Sequence, residues 1–321
     1  MRTPFRMRGA YTTKPMLHPL LIRLSIMPNS RIQISTNGPE FSRIALGMWR
    51  LNSWQLTAQQ RLGFIQQALD LGITTLDHAD IYQSEAPFGE ALSLAPGLRD
   101  QIEIVTKCGI ILGDQVNEPL NYYNTDRNYI INSLENSLRN LRTEYVDLLL
   151  IHRPDPLMQA DEIAAAFEHL HASGKVRHFG VSNFTPSQFD LVAAQHPLVT
   201  NQIELSPLFL DPLHDGVLDQ CQQRSISPMI WSALAGGRVF AEQSERAQRV
   251  RNTLDELAAH YGVSAATIVY AWLLQHPSRP VVLTGSGRVD VLKEAVAATE
   301  LTLTRAHWFA IWSASTGTSV P

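Results

Sequence analysis

Cysteine is scarce in this 321-residue sequence: Cys108 and Cys221 are the only two, enough for one bridge at most. Neither lies in a Cys-x-x-Cys or Cys/His cluster, so a disulfide scaffold and a zinc site are excluded, and a reduced, cytoplasmic protein is expected. Long apolar runs are missing too, since nothing approaches the roughly 18 residues that a membrane-spanning helix needs. No sign of charge is in excess: 26 Lys and Arg stand against 30 Asp and Glu, for a net −4. That balance offers neither nucleic acid nor an anionic membrane a reason to bind. A Gly-x-Gly-x-x-Gly fingerprint is also lacking. The nearest approach, Gly285-Ser286-Gly287, wants its third glycine and lies near the C-terminus, which argues against an open doubly wound dinucleotide fold.

What is present is apolar material, 45% of residues against 17% charged, enough for a large core and too much for a disordered chain. Residues 1–30 stand apart as an expected disordered extension. Arg2, Arg6, Arg8, Lys14 and Arg23 make this segment basic, and Pro19 and Arg23 interrupt the loosely apolar stretch Leu17–Ile26. A secretory signal would have a longer apolar centre; an organelle transit peptide fits the composition better. The plainest expectation is that Met27 is the natural start and the upstream residues are an over-extended reading frame.

From residue 31 on, short β-rich runs alternate with amphipathic stretches. Ile32–Ile34 and Phe41–Ile44 flank Asn37-Gly38, a strong hairpin signal. Strands are then predicted at Ile44–Leu46, Thr74–Leu76, Ile102–Thr106, Val146–Ile151, Phe179–Val181, Val199–Gln202, Pro228–Ile230 and Val281–Leu283. Helices are predicted between and after them: Ala58–Leu71 closed by Gly72, a shorter one ending near Leu94, Asp126–Leu141, Ile163–Ala172 closed by Gly174, Ser187–Ala194, Leu213–Arg224, Arg249–Gln275 broken at Gly262, and Val289–Ala298. Arg305–Ala314 reads as an extra C-terminal helix. Eight strand–helix pairs with right-handed crossovers close into a (β/α)8 TIM barrel over residues 31–321, with the hairpin at one end, and no linker divides them. A monomer is the expected state.

In such a barrel, function sits on the loops after the C-terminal strand ends. Those positions hold Asp77, Lys107, His152, Ser182-Asn183, Gln202, Trp231 and Ser286, with Tyr82 on the loop after Asp77. The set contains an acid, a cation to tune it, a carboxylate to hold the cation, and an imidazole. Thr75-Leu76-Asp77-His78-Ala79-Asp80-Ile81-Tyr82 resembles the aldo/keto reductase signature in which an Asp and a Tyr stand five residues apart. Ile104-Val105-Thr106-Lys107 is similar to that family's catalytic-lysine strand and Leu148-Leu149-Leu150-Ile151-His152 to its catalytic-histidine strand. Gly180-Val181-Ser182-Asn183-Phe184, Asn201-Gln202, Trp231-Ser232 and Gly285-Ser286 follow in the family's order, most like its bacterial branch.

The resemblance implies an oxidoreductase that moves hydride from NADPH, rather than NADH, to the carbonyl of small aldehydes or ketones. Tyr82 would donate the proton, with Lys107 lowering its pKa, Asp77 orienting Lys107, and His152 binding the carbonyl oxygen. Ser182, Asn183 and Gln202 would hold the nicotinamide carboxamide and Trp231 would stack on the ring. Ser232, Leu234 and Gly236 would follow the pyrophosphate, and Gly285, Ser286 and Arg288 the adenosine 2′-phosphate. Two positions depart from the family: Val291 replaces an arginine often found on the last barrel helix, and Gln83 replaces the glycine after the tyrosine.

Plainer readings stand beside these. Taken singly, Asp77 is a loop cap, Tyr82 a half-buried aromatic, Lys107 a solvated strand end, and Trp231 packing at the barrel mouth. His152 could be held structurally by Asp155. His78, His169 and His171 have no metal-ligand context, and no metal is expected. Trp49, Arg50 and Trp54 form a substrate-pocket wall or simply cover the barrel mouth. Two other functions compete: a Schiff-base lyase acting through Lys107, which requires a neutral amine, and a nicotinamide-sensing regulatory subunit with little turnover.

Overall fold

The computed structural model describes residues 29–320. The expected extension and the expected start at Met27 lie outside them, except for Asn29 and Ser30. Asn29 is buried, and its side chain bonds both the N–H and the C=O of Ile44, docking the chain onto the first barrel strand.

The hairpin comes first. β1 (Arg31–Gln33) and β2 (Glu40–Ser42) pair antiparallel, with Ile32 opposite Phe41. Eight parallel strands then close in chain order into a barrel: β3 (Ile44–Gly47), β4 (Thr75–Asp77), β5 (Glu103–Cys108), β8 (Val146–Ile151), β9 (Val176–Ser182), β10 (Asn201–Glu204), β11 (Met229–Trp231) and β12 (Val281–Thr284). The predicted fold is the observed one, and strand boundaries move by only a few residues. Between β5 and β8 lies an unpredicted ribbon, β6 (Ile110–Ile111) with β7 (Tyr122–Tyr123), enclosing the short helix α3 (Gly113–Val116). Strands of two residues carry no periodicity, so sequence cannot announce them.

The outer ring is α1 (Ala58–Asp70), α2 (Glu85–Ser93), α4 (Arg127–Leu141), α5 (Ala160–Ala172), α6 (Pro186–Ala193), α7 (Val217–Gln223), the short α8 (Arg238–Ala241), α9 (Glu245–Tyr261), α10 (Ala265–Leu274) and α11 (Val289–Ala297). The extra helix α12 (Arg305–Thr316) packs on α9. Thr57 and Thr185 start α1 and α6 with complete capping boxes. Gly262, at φ 69, ends α9, and α10 leaves at 93° to it. Among the described residues, no single helix is long and apolar enough to cross a membrane.

Strand parity decides what the barrel encloses. Successive side chains on a strand face opposite ways. Ile44, Leu46, Leu76, Ile104, Leu149, Ile151, Val181, Ile203, Ile230 and Val282 point outward into the large core beneath the helices. Ala45, Val105, Leu148, Leu150, Met229, Val281 and Leu283 point inward and form a second cluster, which Ile32, Ile34 and Phe41 of the hairpin seal from below. The inward parity carries on to the C-terminal strand ends, where it selects Asp77, Lys107, His152, Ser182, Gln202 and Trp231. Gly180 shares that parity and has no room for a side chain, since a Cβ there would lie 2.8 Å from both Leu150 and the Thr200 carbonyl oxygen.

The turn from β4 into α2 carries Tyr82 and is tied down from two sides. Asp80 accepts hydrogen bonds from its neighbour Ile81 N (2.7 Å) and from Ser133 Oγ on α4 (2.9 Å). Asn52 Nδ2 donates to the carbonyl of Gln83 (2.9 Å), which sits at φ 57, in the left-handed region that favours glycine. Beneath this turn α2 presses on α4: a Cβ on Gly89 would overlap the Asn140 carbonyl oxygen.

Two outcomes follow for stability. Gly89→Ala should destabilise the fold by about 1–3 kcal/mol through overpacking against backbone, measured as a lower urea midpoint; an unchanged midpoint would mean α2 and α4 separate freely. Burial raises the Asp80 carboxyl from 3.8 to about 7. A carboxyl raised on folding favours the native state at low pH, and that contribution fades as pH rises through 7. Asp80→Asn should therefore gain on the wild type as pH rises from 5 to 8, by about 1–2 kcal/mol given its partial solvent contact. A stability difference independent of pH would show that Asp80 is ionised throughout.

Candidate active site

Lys107 is the most constrained side chain of the barrel mouth. It is wholly buried at the inward end of β5, and its Nζ donates to Asp77 Oδ2 and to the His78 carbonyl oxygen, both at 2.7 Å. Asp77, 3% exposed, uses its other oxygen to accept from Gln202 Nε2 (2.8 Å). Burial alone would lower the ammonium pKa, but Asp77 and the Tyr82 phenol outweigh it and leave it raised, so the amine stays charged. That state disables the Schiff-base alternative, which needs a neutral amine.

Tyr82 is placed above the ammonium, with Lys107 Nζ 4.9 Å from its ring centre. The hydroxyl reaches His152 Nε2 at 3.4 Å, and the two rings meet nearly edge to face. The expected lowering of the phenol pKa needs correction. Burial raises it and Asp77 adds to that; Lys107 pulls the other way without prevailing, so the resting phenol lies above its ordinary value. A spacing pattern shows the cation and does not show how much water the site has lost. His152 is held well below the ordinary imidazole range, first by burial and then by the charges of Lys107 and Arg153, and is neutral. Asp155 does not hold it: that carboxylate takes hydrogen bonds from Thr125 Oγ1 and Leu157 N. His152 Nδ1 has no partner among the described residues.

Beside this tetrad of Asp77, Tyr82, Lys107 and His152 runs a chain of polar contacts. Trp231 Nε1 donates to Asn183 Oδ1 (3.1 Å), Asn183 Nδ2 to Ser182 Oγ (2.7 Å), and Ser182 Oγ to the Gln202 carbonyl (3.0 Å). Asn183 and Ser232 both adopt positive φ, 60 and 55, a strain expected where a loop is shaped for a ligand. Leu234 precedes a turn whose Gly236 and Gly237 are also left-handed. On the neighbouring strand, Gly285 and Ser286 follow β12, and Ser286 Oγ accepts from Arg288 N (3.2 Å). The exposed Arg288 side chain pairs with Asp290 in the first turn of α11.

The proposed substrate wall divides. Trp49 lies 6.5 Å from the Tyr82 ring and is 63% exposed, with the Arg50 guanidinium over its face. Arg50 also donates to the Gly236 carbonyl (3.3 Å), bridging past β12 to the loop after β11. Trp54 stands elsewhere: it packs edge-on against Phe64 and directly beneath Gly287, where a Cβ would lie 2.6 Å from its ring. The short 3-10 turn over Leu51–Trp54 swings it back onto α1. One residue at the mouth went unremarked in the sequence, Arg153, whose guanidinium covers Trp231. Its position directly after His152 was the available signal.

The donor set fits a nicotinamide nucleotide. An aromatic face, an amide and hydroxyl network beside it, glycine-bearing loops and the Arg288 guanidinium match a ring, its carboxamide and its phosphates. Among the described residues, no group of three His, Cys, Asp or Glu side chains could hold a metal.

Comparison with known proteins gives the family. The sequence model of the Aldo/keto reductase family matches residues 43–315. An oxidoreductase of Escherichia coli, YdhF, is 52% identical over 297 residues, covering 91% of this chain and 99% of its own. A 6-dehydroglucose reductase of Agrobacterium fabrum is 42% identical over 88% of this chain and 96% of its own. The glycerol dehydrogenase of Gluconobacter oxydans superposes with a TM-score of 0.78 at 26% identity, over 90% of this chain and 95% of that one. With that family model spanning most of the barrel and such relatives along nearly its whole length, the chain belongs to the aldo/keto reductase family of oxidoreductases.

Proposed function

We propose that the protein reduces the carbonyl of small aldehydes or ketones with NADPH, and that Tyr82 delivers the proton. The buried Lys107–Asp77 pair under the Tyr82 ring carries this reading. A bound reduced nicotinamide would supply hydride to the carbonyl carbon. The carbonyl oxygen then gains negative charge and takes the Tyr82 proton, leaving a phenolate. Burial opposes that phenolate in the resting protein, but the ammonium is already fixed beside it, so no reorganisation is needed when the charge arrives. Neutral His152 donates a hydrogen bond to the same oxygen without competing for the proton. Gln202 keeps Asp77 turned towards Lys107 and so belongs to both the proton-donating and the cofactor-holding parts.

Ser182, Asn183, Gln202 and Trp231 would hold the nicotinamide, Ser232, Leu234 and Gly236 the pyrophosphate, and Gly285, Ser286 and Arg288 the 2′-phosphate that distinguishes NADPH from NADH. The names of the two relatives, for a sugar carbonyl and for glycerol, support the interconversion of a small carbonyl compound and its alcohol. The intact tetrad favours turnover over a purely nicotinamide-sensing role. Two buried free cysteines support a reducing, cytoplasmic setting.

Tyr82→Phe should leave the NADPH dissociation constant within a few-fold while cutting turnover by roughly 100-fold or more; turnover near wild type would remove Tyr82 as the acid. In fluorescence titrations, Arg288→Ala should weaken NADPH far more than NADH, because NADH has no 2′-phosphate for the guanidinium to bind. Equal losses for both would place recognition of that phosphate elsewhere.

A further inference from the structure

Arg153 rests on an aromatic face and has no oxygen partner among the described residues. It follows His152 at the end of β8, is half-buried, and lies with its guanidinium 5.5 Å from the centre of the Trp231 ring. Other arginines near the barrel are tied to oxygens: Arg99 to Asp147, Arg43 to the carbonyls of Leu274 and Pro280, Arg238 to Glu242. Arg153 makes no hydrogen bond or ion pair with any described residue. Glu204, at the end of β10, feels its charge without coming within ion-pair distance. Directly after His152 in the chain and over Trp231, the guanidinium stands at the barrel mouth, and its charge is felt by both Tyr82 and His152.

A guanidinium has five N–H donors and no acceptor, and withdrawing it partly from water without a partner is unfavourable. A residue kept in that condition next to a catalytic pair is available to a ligand. Its planar fork suits a carboxylate best and also serves adjacent hydroxyl or carbonyl oxygens. Resting on the assignment of Tyr82 as proton donor, we infer that Arg153 is a specificity-determining residue that binds acceptor oxygens carried by the substrate near its carbonyl. The substrates are then oxygen-rich carbonyl compounds, oxo acids or oxidised sugars, rather than alkyl or aryl aldehydes.

The test compares Arg153→Met and Arg153→Lys with the wild type on three four-carbon aldehydes: succinic semialdehyde, erythrose and butanal. NADPH affinity is measured in parallel by protein fluorescence. The wild type should prefer one or both oxygenated aldehydes over butanal. Arg153→Met should lower kcat/KM for the preferred one by roughly 10- to 100-fold, mainly through KM, while butanal and NADPH binding stay within about threefold. Arg153→Lys keeps the charge and loses the fork. Recovery with succinic semialdehyde alone identifies a carboxylate as the partner, and failure to recover with erythrose as preferred substrate identifies hydroxyls. A similar loss on all three aldehydes would overturn the inference, because Arg153 would then act on the chemistry. So would a weakened NADPH complex, which would make it a cofactor residue, or a wild-type preference for butanal. In those cases reduction itself still stands; a wild type that binds NADPH and reduces none of the three would overturn both readings.

Discussion

The site depends on one buried ion pair. Lys107 and Asp77 have been taken out of water at the centre of the barrel mouth, and removing either partner would leave an uncompensated charge at a cost of about 3–5 kcal/mol. The surroundings account for both ions: Lys107 also reaches the His78 carbonyl, and Asp77 also takes the Gln202 amide. Such a pair adds little net stability over a well-packed apolar equivalent. Its value lies in holding a positive charge in place, next to a phenol, where water cannot dilute it.

Pairing of neighbouring strands brings the two ions together, and closure of the barrel adds their third partner. Asp77 and Lys107 sit on neighbouring strands, whereas Gln202 lies 125 residues further along from Asp77. The same parity that fills the barrel interior with Leu148, Leu150 and Val105 becomes polar over its last inward layer. The hairpin seals the opposite end with Ile32, Ile34 and Phe41, so the polar layer has one open side. The Tyr82 turn is then fixed from outside the barrel, by Ser133 on α4 and Asn52 on the first loop.

Burial makes these charges act at close range and also works against them. It raises the Tyr82 phenol, depresses His152, and lifts Asp80 to about 7. A dry site is therefore reluctant to ionise at rest and most responsive when a reaction creates charge within it. Arg153 adds a second cation to the mouth, over the Trp231 ring rather than against a carboxylate.

The barrel, its hairpin, the helix stops at Gly72 and Gly262 and the four tetrad residues were all legible from the sequence alone. They rest on local causes: period-two and period-3.6 hydrophobicity, turn glycines, and short motifs at strand ends. The two-residue ribbon of β6 and β7, the turning of Trp54 beneath Gly287, the second role of Gln202 and the isolation of Arg153 were not legible. Each is a statement about which distant group a side chain meets, or fails to meet, once the strands have closed. The phenol pKa belongs with them, because it depends on how far water is excluded, and only the tertiary structure decides that.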